Sequence, residues 1–446
     1  MEELTYLEEA VEKIGEIAAN LGLDFFPMRF EICPAEIIYT FGAYGMPTRF
    51  SHWTFGKAYH KMKTQYDYNL SRIYELVINT NPCYAFLLEG NSLVQNKLVI
   101  AHVYGHSDFF KNNWHFKNTN RKMLETMSVH ARRIDEFSFR YGKEKVEKFL
   151  DAVLSIEEHI DPFEGIIKEQ SKKKKAKETK NPYADLWFET DVLKDEEEKE
   201  KKPVKDILGF IGNNSRYLDD WQREIIFMVR EEMKYFWPQL KTKIINEGWA
   251  AYWHIRIMRE LDLDENESIE YAKLNAQILQ PTRFGINPYL LGLKVFEDIE
   301  KRFGKEMIFE VREIDCDVSF LRNYLNEKLV EELDLYNFQK VGSEWRVTEK
   351  SWEKVRDNLV LSLNNCGFPY IEILDDDYGK NGELYLRHRY EGMELDIYYL
   401  ERTLPYVYEL WGKPVHLETV VDRKHVLFTF NGEKHLRKII EGSGKY

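Results

Sequence analysis

The sequence predicts a mainly α-helical protein with a smaller α+β part at its C-terminal end. Apolar residues recur at helical period through most of the chain before about residue 305. Alternating, strand-like runs gather after residue 369, at Tyr370–Leu374, Glu383–His388, Val415–Val420 and His425–Phe430. Two stretches, 101–113 (AHVYGHSDFFKNN) and 246–258 (NEGWAAYWHIRIM), read as helices carrying polar, metal-capable side chains on an otherwise apolar face.

Taken in order, Leu4, Leu7, Ala10, Val11, Ile14, Ile17 and Ala18 mark an amphipathic helix over 4–22. Cys33–Phe41 is expected to be a second helix, and Gly42–Pro47 a turn. Residues 54–68 read as helical. Leu76–Ile78 and Cys83–Leu88 flank Asn79-Thr-Asn-Pro82 as a hairpin. Ser92-x-x-Gln95 is a capping box that opens the first histidine helix. Helices are expected over 119–142, 144–159 and 217–236, and Pro238 is placed in the first turn of the next one. Asp264–Ile278, Asn287–Phe303, Val318–Leu333, Ser351–Asn365 and Tyr398–Leu410 complete the helices, with the tail strands expected to form an antiparallel sheet.

Residues 168–205 change character. Lys172–Lys175 is a basic run and Lys194–Lys202 contains no apolar residue, a composition that buries too little surface to order itself. Tyr183, Leu186, Trp187 and Phe188 form an apolar island within it. The expected division is therefore 1–165 (helical, with the HxxxH helix), 166–205 (charged insertion), 206–305 (helical, the same body as 1–165) and 306–446 (α+β).

A net charge of −13 disfavours general binding to a phosphate backbone, so nucleic acid is not an expected partner. Cys33, Cys83, Cys316 and Cys366 are scattered with no CxxC pair, which fits a reducing compartment. The first residues lack the basic and apolar regions of a signal peptide, and no run is apolar enough for a membrane span. A cytoplasmic protein without membrane insertion is expected.

His102 and His106 stand one helical turn apart, the HxxxH spacing with which a zincin helix binds zinc. The glutamate that activates water in such enzymes follows the first histidine; here that position is Val103. A gluzincin takes its third ligand, a glutamate, from a later helix, and Glu247 fits that role. His254, two turns beyond Glu247 on the same stripe, is a candidate fourth ligand, proton donor or stabiliser of negative charge. Glu247 and His254 are thus the candidate catalytic residues, and His102, His106 and Glu247 the candidate metal ligands, with zinc as the expected ion. Ala250 and Ala251 would let another helix or a ligand come close. The same residues also fit a satisfied polar core with no ligand. Arg49 and His52, after a Gly/Pro loop, and Asn113, closing the histidine helix, are candidate substrate contacts. No P-loop, Rossmann glycine pattern or nucleophile elbow occurs.

Several long stretches closely resemble the stage V sporulation protein R (SpoVR) family: 33–57, 74–92, 101–113, 246–254 (NEGWAAYWH), 286–300, 309–325 and 382–396. The resemblance covers nearly the whole chain outside the charged insertion. It implies a cytoplasmic protein linked, in spore formers, to formation of the spore cortex peptidoglycan. In bacteria that do not sporulate it implies ties to a serine protein kinase and to a protein with an integrin-like domain. Two functions are expected to compete: a metal-dependent amide or peptide hydrolase, and a regulatory scaffold on a degenerate metalloenzyme fold.

Overall fold

The computed structural model describes residues 2–67, 75–163, 202–282, 285–341 and 344–440. Most of the charged insertion, including Lys172–Lys175 and the Tyr183–Phe188 island, lies outside the described residues.

Packing divides the chain into two compact units, one of residues 1–136 and 238–367, the other of 137–237 and 368–446. The joins differ from those that composition suggested at 165, 205 and 305. The helices after 305 bury Ile308, Val311, Phe320 and Leu329 in the same core as the histidine helix, so they belong to the first unit. Val204, at the end of the charged stretch, pairs with Ile373 of the second unit's sheet.

In the first unit, α1 (Glu2–Asn20) precedes β1 (Met28–Cys33), α2 (Ala35–Tyr44), α3 (Trp53–Asp67), β2 (Glu75–Ile78) and β3 (Cys83–Leu88). The expected hairpin is present, with Ile78 opposite Tyr84, and β1 runs parallel to β3 on its other side. The turn expected at residue 42 comes later. Gly42–Tyr44 stay helical, and Gly45 ends α2 in the left-handed region at φ 74°. Then α4 (Leu93–Asn112) starts at the capping box of Ser92 and Gln95.

Helix α5 (Met123–Tyr141) contains the first join between units, and α6 (Lys143–Leu154) and α7 (Ile207–Asn214) lie in the second unit. Pro238 does not open a helix: it sits inside α8 (Asp220–Lys241), and α9 (Lys243–Glu260) begins after Thr242. The reason is long-range. The carboxylate of Asp317 accepts hydrogen bonds from Ile244 N at 3.0 Å and Ile245 N at 2.9 Å, serving α9 as an N-terminal cap from 72 residues away. No local pattern announces that start.

The first unit continues with α10 (Glu265–Ile278), α11 (Pro288–Phe303), α12 (Lys305–Ile314), α13 (Asp317–Tyr324), α14 (Glu327–Glu332), the hairpin β4 (Asn337–Val341) and β5 (Glu344–Glu349), and α15 (Trp352–Leu363). The single helix expected over 318–333 is two, because Asn326 caps a new start by accepting from Leu329 N. The second unit's sheet has the order β10 (His435–Ile439), β9 (Lys424–Phe430), β8 (Val415–Val421), β7 (Glu383–His388), β6 (Ile371–Tyr378). It is mixed rather than antiparallel: α16 (Ile397–Trp411) carries the chain from β7 over to a parallel β8.

What positions the first unit's interior is close contact between α4, α9 and α11. A Cβ on Gly105 would stand 2.7 Å from Ala250 Cα, and one on Gly248 2.3 Å from Gly292 Cα. Backbones this near leave room only for small side chains, and the larger residues of each helix interlock to either side. Every residue from Leu98 to Phe110 is buried, polar ones included.

Candidate metal centre

A helix that buries His102, His106, Ser107 and Asp108 must satisfy them inside the protein. Asp108 is fully buried and pins α4 in place. Its Oδ1 accepts from Asp24 N at 2.7 Å and its Oδ2 from Trp249 Nε1 at 2.8 Å. Burial pushes its carboxyl up to about 6, although Arg312 opposes the shift. Ser107 Oγ accepts from Phe26 N at 3.1 Å. These bonds fix the rotation of α4, and Asp317 fixes the start of α9. The register places His102 and His106 opposite Glu247.

The two histidine Nε2 atoms lie 3.4 Å and 3.5 Å from one oxygen of Glu247, Oε2. The histidine side chains are 5% exposed and that of Glu247 20%. His106 Nδ1 stands 3.0 Å from Asn246 Oδ1 and donates to it. His102 Nδ1 meets His254 Nδ1 at 3.0 Å, and His254 Nε2 meets Asn275 Oδ1 at 2.9 Å. Tyr289 leans over His102 with ring centroids 5.7 Å apart. Burial lowers His254 to about 3, with His102 adding to the shift and the Asn275 hydrogen bond opposing it, so this ring is neutral. Burial by itself would raise the Glu247 carboxyl. The hydrogen bonds and charges of His102 and His106 outweigh burial and hold it well below the usual carboxylate range.

The donor set fits a metal ion. One donor atom from each of His102, His106 and Glu247 can be chosen so that all lie within 4.8 Å of one another. Charge-assisted hydrogen bonds run at about 2.7–2.9 Å, shorter than either histidine–glutamate distance here. Two ligands held at about 2.0–2.1 Å on a tetrahedral ion stand roughly 3.4 Å apart. His102, His106 and Glu247 are therefore the residues that could hold an ion.

Of the residues singled out in sequence, the structure brings His102, His106, Glu247 and His254 together. Asn113 is spent on the fold: its Nδ2 donates to the carbonyls of Arg312 and Asp315, and its Oδ1 accepts from His115 N. The Arg49 guanidinium lies over Phe55, 4.6 Å from the ring centroid, and His52 Nδ1 is 2.8 Å from Thr54 Oγ1. Val103, at the position of a zincin base, is fully buried. Asn246, Asn275, Asp108 and Asp317 escaped sequence reasoning. Asn246 adjoins Glu247 and could have been suspected, whereas Asn275 sits in a helix without any chemical motif.

Two family descriptions match the chain. "SpoVR like protein" covers residues 1–368 and "SpoVR-like C-terminal domain" covers residues 369–422. The chain belongs to the SpoVR-like family. A relative from Escherichia coli (strain K12), named "Uncharacterized protein YcgB", is 28% identical over 470 residues, spanning 92% of this chain and 91% of its own. No solved structure matches. The first family match ends within one residue of the join at 367 and 368, so the SpoVR-like part contains both helices of the candidate centre. No described helix is long and apolar enough to cross a membrane.

Proposed function

We propose that this SpoVR-like protein holds a divalent ion, zinc by its ligand set, between His102, His106 and Glu247, and hydrolyses an amide or peptide bond there. The observation that supports this most is the convergence of two imidazole Nε2 atoms on one carboxylate oxygen inside a closely packed helix trio. A bound ion of this kind supplies a polarised carbonyl or a water that ionises near neutral pH. The chain's own residues do the rest. Asn246 orients His106, and His254 orients His102. The close packing of α4 on α9 keeps bulk water from the ring nitrogens. Glu247 is the most exposed of the three. The sporulation resemblance supports a cytoplasmic role in making cortex peptidoglycan, with a serine kinase and an integrin-like-domain protein as partners.

The second reading is a regulatory scaffold, and Val103 favours it. The residue that would take the proton from water is replaced by a buried hydrocarbon. Under that reading the centre stabilises a platform for partners. Metal analysis of protein purified without a histidine tag, followed by assay on peptidoglycan-derived peptides, separates the two. About one equivalent of zinc and amide cleavage, both lost in His102→Ala and Glu247→Ala, is the expected result. Zinc retention without cleavage favours the scaffold, and no specific metal in the wild type overturns both versions of the centre.

A further inference from the structure

The first unit's sheet ends on an open edge. Its strand order is β1-β3-β2, so β1 has a neighbouring strand on one side only among the described residues. The carbonyls of Pro27 and Cys33 accept from Cys83 N at 2.8 Å and Glu89 N at 2.9 Å, at the two ends of the parallel pairing. Along a strand, successive residues turn their backbone groups to opposite edges. The N–H and C=O groups of Met28, Phe30 and Ile32 therefore point away from β3. None of them has a backbone partner among the described residues.

Beside that edge lies a groove of about 580 Å³ between α1 and β1. Val11, Met28, Phe30 and Ile32 form its apolar floor, and Glu8 and Glu12 line it from α1. Met28, Phe30 and Ile32 share one face of the strand by alternation, and Ile32 is 42% exposed. Glu8 and Glu12 stand one helical turn apart, are exposed, and have no ion pair among the described residues. Glu9 and Glu16 add to the charge of the same helix, against Lys13. Exposed sheet edges usually carry charges or proline that keep other strands off. The outer strand β10 of the second unit does so with Arg437 and Lys438. In β1 the prolines, Pro27 and Pro34, stand outside the strand, and an apolar face lies beside its open edge.

We propose that this edge docks an extended, basic segment of another protein, which joins the sheet beside β1. Backbone pairing with Met28, Phe30 and Ile32 attaches it. Its apolar side chains, and the stems of its lysines or arginines, cover the floor of the groove. The charged ends of those stems meet Glu8 and Glu12. The same carboxylates select against an acidic segment. They select equally against a second copy of this chain, which carries a net charge of −13 and would bring its own acidic α1 to the contact. None of these residues belongs to the metal centre, so the docking site stands whether or not an ion is bound there.

The test uses the full chain and a short fluorescent peptide that alternates lysine with valine. Anisotropy is expected to show saturable binding to the wild type, and none for the same peptide with glutamate in place of lysine. Amide exchange across β1 should slow in the complex. Glu8→Lys combined with Glu12→Lys changes only exposed side chains. It should weaken the lysine peptide roughly 2–30-fold, the range for two exposed ion pairs, and let the glutamate peptide bind. Ile32→Pro removes an outward N–H that the pairing with β3 does not use, and it should abolish binding. Should that variant fail to fold, the charge-reversed one decides alone. Equal affinity for the two peptides, binding of neither, an unchanged preference after charge reversal, or binding without slowed exchange across β1 overturns the proposal. Dimerisation of the wild type that Ile32→Pro abolishes also overturns it, by giving the edge to a second copy.

Discussion

The two units each bury histidines against glutamates, and they do it differently. In the second unit, His416 lies 2.7 Å from Glu383 Oε2 through Nε2 and 2.8 Å from Thr429 Oγ1 through Nδ1. Beside it, Tyr385 donates to Glu418 at 2.9 Å, and His388 meets Thr419 Oγ1 at 2.9 Å. Each of these contacts can join a donor to an acceptor at ordinary length. In the first unit, His102 and His106 turn their Nε2 atoms toward one carboxylate oxygen at 3.4 Å and 3.5 Å, while their Nδ1 atoms are engaged elsewhere. Burial and composition are similar in the two places. What separates the two places is that in the first unit two imidazoles converge on a single carboxylate oxygen at longer distances.

The largest effect expected from this contrast is on metal content. If the proposed centre holds zinc, elemental analysis after dialysis should find it in the wild type and in His416→Ala and not in Glu247→Ala. Equal losses in both variants would erase the distinction between the regions.

Asp317 is the intermediate case, a buried acceptor of the first unit that does have donors. Its carboxyl is pushed up from 3.8 to about 7 by burial, which outweighs the backbone hydrogen bonds from Ile244 and Ile245. Between pH 4 and 7 the folded state therefore keeps a proton that the unfolded state has lost. The contribution to stability is full below about pH 4 and is lost as pH rises to about 7, on the order of 4 kcal/mol by that shift. Relative to Asp317→Asn, the wild type should lose stability across that window in denaturant titrations. A difference that stays flat with pH would refute the burial argument.

Next comes the packing that allows convergence. Gly248→Ala would set a methyl 2.3 Å from Gly292 Cα, where only backbone could yield. A loss of about 3 kcal/mol in urea unfolding is expected, the upper part of the range for overpacking. A loss under about 1 kcal/mol would mean that α9 and α11 are free to part.

The smallest effect belongs to the second unit's His416. His416→Leu should cost about 2 kcal/mol, because Glu383 and Thr429 each lose a partner. It should leave the first unit's histidine NMR signals where they were.

The helices that frame the centre were legible because their signals are local. Ser92 and Gln95 sit where a capping box must, and Asp264 with Glu267 repeats it before α10. His102 and His106 share a face by spacing alone. The start of α9 was misjudged because its cap, Asp317, comes from a distant helix, while a proline inside α8 mimicked a beginning. The sheet's parallel pair was hidden for a similar reason. Alternation reveals strands but not their direction, which the α16 crossover decides. Asn275 gave no signal, since an exposed-looking asparagine on a polar helix has no reason to be noticed until its helix is docked.

By itself, then, the sequence determined which segments are helical, that two of them carry imidazoles and a carboxylate on buried faces, and which family the chain resembles. Periodicity, caps and residue chemistry act within a few positions and are readable there. Only the tertiary structure decided that His102, His106 and Glu247 meet at one point, and which ring nitrogen each histidine turns toward it. Those outcomes depend on glycine contacts between helices and on hydrogen bonds spanning many residues, where a shift of one helical position would have sent the same side chains elsewhere.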